Sequence, residues 1–465
     1  MNGRTAECEA RVTTTQYLAD FATSRETTLP AGARPRAMRV LLDTLAVTLA
    51  GYPEDAAQAV ARAVQASQDS FSVTLPWTAK RYRPDDACMI LGTAAHVLDY
   101  DDVSMLSVCH PSVPIFTSLY VLAQQTAVTG AQFIDAFAIG TEILIRSGEA
   151  MGFRHYDLGF HATATLGTLG AAAACSRVLG LSPAQTNHAL AIAASMSAGV
   201  RKNFGTMVKS LHVGLASGSG LRAARLAQAG VEGADDVLGG RGWLHAFSGG
   251  QTEHWPNSVV LGMPYALDQP GFEQKRYPCC YMMHKMIQAT IELRRECGLG
   301  LEGLERARVV TPRGGTAALI HPWPTEGLAA KFSGPYAVVG PLADGRMNLA
   351  SFDDDAVRRP AVQAALRRVE LSEVGGVVLK GSEVGGAPVS VTLDYADGRR
   401  FARTVVASPG SLQDPLTDDD LREKWRDCVG RGLPGMPSER VASLFDAGLK
   451  FDDQADAGAW LTTLR

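Results

Sequence analysis

The sequence has few cysteines and no long apolar segment. Its eight cysteines in 465 residues include no Cys-x-x-Cys spacing, so we expect reduced thiols rather than a disulfide framework or a zinc site. The first 17 residues are polar and lack the apolar centre of a signal peptide. The longest apolar run, residues 162–175, is too short and too rich in Gly and Thr to span a bilayer. These absences predict a cytoplasmic protein without a membrane partner.

Neither sign of charge is in large excess. The formal net charge is −4 and acidic and basic residues are interspersed, which argues against a nucleic-acid partner. A hydrophobic content of 46% with 20% charged residues is typical of a folded globular protein, and the length is sufficient for two domains. An anionic substrate would therefore need a local cluster of basic side chains.

Helical periodicity dominates the chain up to about residue 255. Beyond it, Pro and Gly are more frequent and β-like segments occur at 307–311, 376–379 and 389–406, the last with a hairpin signal at Asp397-Gly398. The sequence Thr417-Asp418-Asp419-Asp420 predicts the capped start of a later helix. We therefore predict a mainly α fold with an α+β second domain. Residues 1–270 and 411–465 would form a large helical domain, and residues 271–410 a smaller inserted α+β lid domain.

A basic segment, residues 201–212, lies between two apolar helical patterns. It contains Arg201, Lys209 and His212, with Asn203 in the intervening turn. The Gly-Thr-Met sequence before Lys209 predicts that this lysine enters the first turn of a helix, where the positive end of the helix dipole favours the neutral amine. Such a lysine can transfer a proton, and a cationic helix start can bind a carboxylate. The alternative is a basic loop that only caps two helices.

Aspartate and histidine residues form a second candidate group. Asp99 begins an Asp-Tyr-Asp-Asp sequence, and His110 follows in the next loop. An aspartate that orients a histidine makes an acid–base pair, whereas the alternatives are a simple acidic helix end or, less favoured because cations lie nearby, a divalent metal site. His161 begins a helix, which favours the neutral imidazole of a base; the alternative is a buried structural histidine.

A third group lies on either side of residue 300. Lys275 and Arg276 precede a tight turn into a helix, where an anion can bind. The adjacent Cys279-Cys280 would be reactive only with a partner such as His284. Tyr336 could donate a hydrogen bond to an oxyanion, or it could be ordinary aromatic packing. Nothing in the sequence supports a dinucleotide site.

Five of these segments, in this order, resemble the MmgE/PrpD family, which includes 2-methylcitrate dehydratase, cis-aconitate decarboxylase and iminodisuccinate epimerase. The segments are His96-Val97-Leu98-Asp99-Tyr100-Asp101-Asp102, His110-Pro111-Ser112, Gly159-Phe160-His161, Asn203-Phe204-Gly205-Thr206-Met207-Val208-Lys209-Ser210-Leu211-His212 and Lys275-Arg276-Tyr277-Pro278-Cys279-Cys280. By matching motif, the resemblance implies a set of catalytic residues: Asp99, His110, His161, Lys209, Lys275 and Tyr336. The substrate-binding residues are expected to be Arg201, Asn203, His212, Arg276 and His284.

The resemblance also implies a helical domain with a smaller α+β lid, a homodimer, and a site between the domains that uses no cofactor and no metal. The chain departs from the family at three points. Val103 stands where the family often has Thr, and the loop to His110 looks one residue longer than in the decarboxylase. Cys280 stands where the decarboxylase has a His. These departures weaken a specific decarboxylase assignment.

The expected function is that of a cofactor-independent lyase. Lys209 or His161 would remove a proton α to a carboxylate of a small di- or tricarboxylate, and His110, oriented by Asp99, would act as acid while water is eliminated. The same site could instead epimerise a dicarboxylate or release CO2 from a tricarboxylate. A non-catalytic carboxylate-binding protein is the third alternative.

Overall fold

The computed structural model describes residues 12–379 and 382–464. The first region is helical, as the periodicity predicts, and adds one short antiparallel pair of strands. Its elements are α1 (Thr14–Thr23), α2 (Arg34–Gly51), α3 (Asp55–Ala63), β1 (Val73–Leu75), β2 (Thr78–Tyr82), α4 (Pro84–Val97), α5 (Ser112–Ala123), α6 (Gly130–Met151), α7 (Arg154–Asp157), α8 (Ala162–Val178), α9 (Pro183–Met196), α10 (Met207–Gln228) and α11 (Trp243–Phe247).

The second region combines helices with one mixed sheet. Its elements are α12 (His284–Cys297), β3 (Leu304–Pro312), α13 (Gly327–Ala330), α14 (Gly334–Asp344), α15 (Asp354–Arg358), α16 (Pro360–Leu366), β4 (Val369–Val374), α17 (Ser382–Gly386), β5 (Val389–Tyr395) and β6 (Arg400–Val405). The sheet order is β4-β3-β5-β6, in which only the β3–β4 pair is parallel. Its helices and sheet enclose a second hydrophobic core, separate from that of the helical region. The predicted mainly α fold with an α+β part is confirmed.

The hairpin predicted at Asp397-Gly398 is confirmed, since β5 and β6 pair antiparallel on either side of it. The strand predicted at 376–379 is wrong. The strand in this part of the chain is β4, whose register with β3 ends where Val374 lies opposite Pro312. Gly375 follows with φ of 109°, which turns the backbone out of the extended conformation, so the pairing stops before residue 376.

The last helices return to the first core. They are α18 (Asp418–Gly432), α19 (Ser438–Gly448) and α20 (Ala457–Thr462). Thr417 caps α18 through a capping box with Asp420, as the sequence predicts. Trp425 of α18 and Phe445 of α19 are fully buried in the same apolar cluster as α2. Among the described residues, no helix is both long and apolar enough to cross a membrane.

Close helix crossings at glycines bring together the segments that carry the candidate site residues. A Cβ on Gly214 of α10 would lie 2.4 Å from the carbonyl oxygen of Met89 in α4, and one on Gly92 would lie 2.6 Å from the Gly214 Cα. Only glycine permits this approach, since neither backbone can yield without moving its helix. The crossing therefore determines the distance between the end of α4 and the first turns of α10.

Replacement of Gly214 by Ala should lower the free energy of unfolding by about 1–3 kcal/mol, because the added methyl group forces α4 and α10 apart. Urea unfolding followed by circular dichroism measures the change. The control is Gly430→Ala in α18, where a Cβ meets no atom within 4 Å and should stabilise the helix by about 0.5–1 kcal/mol. Equal stability of the Gly214 variant and the wild type would contradict the prediction, because it would show that α4 and α10 can move apart without loss of stability.

Candidate active site

Two lysines converge on one buried aspartate where the two regions meet. The ammonium groups of Lys209 and Lys275 bond to different carboxylate oxygens of Asp99, and Lys275 Nζ also donates to the Asp99 carbonyl at 2.8 Å. Burial alone would raise the pKa of Asp99, but the two lysines hold it well below its usual range. Lys209 Nζ lies 5.4 Å from the ring centres of both Phe204 in the first region and Phe332 in the second.

Lys209 lies in the first turn of α10, after the capping residue Thr206, where the sequence places it. It forms an ion pair with the buried carboxylate of Asp99, a contact that the helix start alone does not predict. Burial lowers the pKa of Lys275, but the Asp99 carboxylate more than offsets this and raises it. Both lysines are therefore suited to bind and stabilise negative charge.

The backbone is strained beside this cluster. Asp99 and Val108 both have φ of 51°, a region that favours glycine and that a β-branched residue rarely enters. Asp99 is fixed there because Lys275 binds both its carbonyl and its carboxylate. Such strain is found at functional sites, where surrounding contacts can offset its cost of about 1–3 kcal/mol.

A second carboxylate, Asp101, joins two histidines. Its Oδ2 lies 2.7 Å from Nδ1 of His96 and 3.2 Å from Nδ1 of His110. Burial opposes ionisation, yet the two imidazoles hold the pKa of Asp101 below its usual value. An ionised carboxylate can only accept, so His96 donates to it from Nδ1, while Nδ1 of His110 lies at ion-pair distance from the same oxygen. His110 is thus oriented by Asp101, which corrects the expectation that Asp99 has this role.

The same three side chains could also be read as metal ligands, since their ligand atoms lie within 4.8 Å of one another. Two ligands of a tetrahedral zinc ion, each about 2.0 Å from the metal, would lie roughly 3.3 Å apart. The 2.7 Å between His96 and Asp101 is shorter and is that of a direct hydrogen bond. A direct hydrogen bond between His96 and Asp101 therefore explains this geometry better than a zinc site does.

His161 lies directly before α8, beside His96 and Phe204. A bridge between Phe160 and Val200 pairs this segment with residues 199–201, and the His161 amide donates to the Gly199 carbonyl at 3.0 Å. Burial, reinforced by the charges of neighbouring groups, lowers the pKa of His161 well below its usual value, so the imidazole is neutral. Its Nδ1 lies 3.0 Å from Nδ1 of His212. His212, expected to bind substrate, thus contacts His161.

Arg201 lies at the edge of this cluster, because its amide donates to the Gly159 carbonyl at 2.8 Å. Its guanidinium carbon is 4.1 Å from the ring centre of Tyr156, and it makes no ion pair with the carboxylates of the described residues. Tyr156 also lines a cavity of about 250 Å³ beside the loop that leads to His110. The sequence alone gave no reason to single out Tyr156. Asn203, half buried, ends the short 3₁₀ helix that begins at Arg201.

Three of the candidate residues lie elsewhere. Arg276 bonds to Glu423 and faces Asp420, both on α18, so its guanidinium is directed to the C-terminal helix. His284 is fully buried against Tyr277 and Tyr281, with ring centres 5.2 Å from each. Tyr336 is fully buried in the second core, where its hydroxyl donates to the Ser351 carbonyl. Ion pairs engage Arg276, a hydrogen bond engages Tyr336 and aromatic rings enclose His284, so we include none of the three among the residues proposed to contact substrate.

Cys280 lies beside the lysine–aspartate cluster as a buried thiol. Its amide donates to the Lys331 carbonyl at 2.9 Å. Burial raises the pKa of the thiol to about 11, since the nearby Asp99 carboxylate adds to the cost of a thiolate. The neutral thiol has no nucleophilic role at neutral pH, which argues against the reactive-thiol reading.

The buried neutral histidines make stability depend on pH. Burial lowers the pKa of His96 to about 4 and that of His284 to about 3, against about 6.5 for an exposed imidazole. Below pH 6.5 the unfolded chain binds protons at these residues and the folded chain does not, so the free energy of unfolding falls as pH is lowered toward 4. Replacing His284 by Phe should reduce proton uptake on unfolding by about one in this window.

Urea unfolding between pH 4.5 and 7.5 measures that proton uptake as the slope of the unfolding free energy against pH. His254→Gln is the control, because His254 is exposed and should leave the slope unchanged. An unchanged slope in the His284 variant would mean that its imidazole titrates normally in the folded protein.

The fold and the cluster describe a two-region, mainly helical protein whose buried lysines, aspartates and histidines meet at the junction of the regions. Residues 16–255 match the MmgE/PrpD N-terminal domain and residues 277–446 match the MmgE/PrpD C-terminal domain. The chain belongs to the MmgE/PrpD family.

Relatives of known name share most of the chain's length. It is 29% identical over 448 residues to cis-aconitate decarboxylase of Homo sapiens, covering 92% of this chain and 90% of that protein. It is 28% identical over 445 residues to the Mus musculus enzyme of the same name, covering 92% and 88%. A cis-aconitate decarboxylase of Aspergillus terreus is 26% identical over 479 residues, covering 98% and 96%. Family membership and these relatives indicate an enzyme of this family.

Proposed function

We propose that this chain is a cofactor-independent lyase that acts on a small di- or tricarboxylate. The observation that carries the proposal is the meeting of Lys209 and Lys275 on Asp99, with His110 and His161 nearby. Lys209, Lys275 and Asp99 together carry an excess of one positive charge, and the negative charge of Asp101 faces His96 and His110 instead. This excess favours both a bound carboxylate and the enolate-like charge that forms when a neighbouring proton is removed.

In the elimination of water, each side chain of the cluster would have a defined role. His161, neutral, takes the proton α to the carboxylate, and the electron pair of the broken C–H bond delocalises into that carboxylate beside Lys209 and Lys275. His110, entering the step as the imidazolium beside Asp101, gives its Nε2 proton to the leaving hydroxyl, so water departs, a C=C bond forms and the imidazole is left neutral. Arg201, which pairs with no carboxylate among the described residues, would bind the far carboxylate of the substrate.

Decarboxylation is the second candidate, favoured by the names of the relatives. In that reaction a carboxylate leaves as CO2, the electron pair of the C–C bond stays on carbon beside the lysines, and His110 supplies the proton. Cys280 counts against it, because the family resemblance places a His at this position in the decarboxylase, and a thiol with a pKa of about 11 is a much weaker acid than an imidazolium. Elimination of water therefore remains the first proposal.

Proton NMR in deuterated water separates the reactions. We expect 2-methylcitrate to lose water and give an alkene signal; release of CO2 from cis-aconitate would support decarboxylation instead. Deuterium incorporation into a dicarboxylate without a new alkene would support epimerisation. Lys209→Met should abolish turnover in each case.

A thermal-shift screen of the same carboxylates tests binding. A ligand at 100 times its Kd stabilises the fold by about 2.7 kcal/mol, a shift that Lys209→Met should remove. Binding without any turnover would favour the non-catalytic alternative, and neither binding nor turnover would reject the proposal. A homodimer in the cytoplasm is also proposed, on the family resemblance; light scattering and cell fractionation test it.

A further inference from the structure

A single proton is shared between His161 and His212. Their Nδ1 atoms lie 3.0 Å apart, and a hydrogen bond between two such atoms needs a proton on one and a lone pair on the other. Burial lowers the pKa of both imidazoles, so neither carries a second proton at neutral pH. Two arrangements satisfy the contact. In one, His161 donates and its Nε2 is unprotonated; in the other, His212 donates and His161 carries its proton on Nε2.

The surrounding charge distinguishes the two arrangements. His161 Nε2 is buried and has no hydrogen-bond partner among the described residues. The Lys209 ammonium acts on this imidazole, and His161 also lies at the positive end of α8. A positive potential favours a lone pair over an N–H group at the free nitrogen. The proton is therefore placed on Nδ1 of His161, toward His212.

We propose that His212 is a positioning residue: it accepts the Nδ1 proton of His161 and so keeps Nε2 of His161 unprotonated, ready to take a proton from the substrate. The tautomer follows from the contact and the charges around it. The use of Nε2 as a base rests on the proposed function.

The tautomer is tested directly on the full-length protein labelled with ¹⁵N-histidine. Long-range ¹H–¹⁵N spectra at pH 7.5, assigned with His161→Gln and His212→Asn, report which ring nitrogen carries the proton. We expect the Nδ1–H form for His161. A protonated Nε2 would overturn the proposal, whether or not a substrate is known.

Two variants of His212 test whether this residue positions His161. His212→Asn places an amide oxygen close to the position of Nδ1 and should preserve the acceptor. His212→Leu removes it, and we expect kcat to fall about 10²-fold with KM changed less than about threefold, because a base is lost while binding is not. Activity is measured with 2-methylcitrate or cis-aconitate, whichever the wild-type protein converts.

The outcomes separate this inference from the proposed function. Full activity in the Leu variant, or equal losses in both variants, would overturn the positioning role even where the tautomer is as expected. Failure of the wild-type protein to convert any carboxylate would reject the proposed function, and the NMR result would still decide the tautomer.

Discussion

Replacement of Asp99 by Asn should destabilise the protein by about 3–5 kcal/mol and abolish turnover. Asparagine has the same shape but no charge, so the buried ammonium groups of Lys209 and Lys275 would lose their common counter-charge. The loss comes mainly from two uncompensated buried cations rather than from one hydrogen bond. Urea unfolding at pH 7.5 and the assay for carboxylate turnover measure the two effects.

The control for this variant is Asp85→Asn. Asp85 pairs with Arg222 at 2.8 Å, but both side chains are about half exposed, so its loss should cost no more than about 1 kcal/mol. Similar unfolding midpoints for the two variants would contradict the lysine–aspartate–lysine cluster. If the Asp99 variant does not fold, Lys209→Met retains the Asp99–Lys275 pair and should fold without turnover.

Replacement of Asp101 by Asn should lower kcat by about 10³–10⁴-fold while carboxylate affinity changes little. One oxygen of Asp101 accepts from His96 and lies 3.2 Å from Nδ1 of His110, and an uncharged amide cannot orient both imidazoles in the same way. The charge that binds substrate lies on the lysines, so thermal shifts with carboxylates should remain. Steady-state kinetics and thermal shifts on the same preparation separate kcat from binding.

The neighbouring Asp102 provides a matched control. It is also buried, but burial raises the pKa of its carboxyl group well above the usual value, which favours the protonated form, and Ser112 donates to it through its amide and its hydroxyl. An amide resembles a protonated carboxyl group as donor and acceptor, so Asp102→Asn should retain activity within a few-fold. Equal losses in the two variants would contradict the specific role of Asp101.

Residues at the starts of helices were predictable from the sequence. Lys209 follows the cap at Thr206, and His161 precedes α8, because capping residues and apolar periodicity act over a few neighbouring positions. The motif order identified the family by the same kind of local signal. The partner of His110 was not predictable, since three aspartates follow one another closely and only the turn at Asp99 decides which of them reaches the imidazole.

Lys275 and Arg276 show that the sequence also does not predict the direction in which a side chain points. The two are adjacent and both basic, yet Lys275 is buried against Asp99 and Arg276 is directed to α18. Consecutive side chains in a non-helical segment point in different directions, and sequence alone does not say which one faces the core. Tyr336 and His284 were chosen for residue type, and both are buried in contacts that packing explains.

By itself, the sequence determined the fold class, the family and the helix starts near His161, Lys209 and Thr417, because these depend on local patterns along the chain. Only the tertiary structure decided which aspartate neutralises the lysines and which orients the histidines. It also decided which groups are charged, since burial and the distance between charges depend on residues far apart in the sequence.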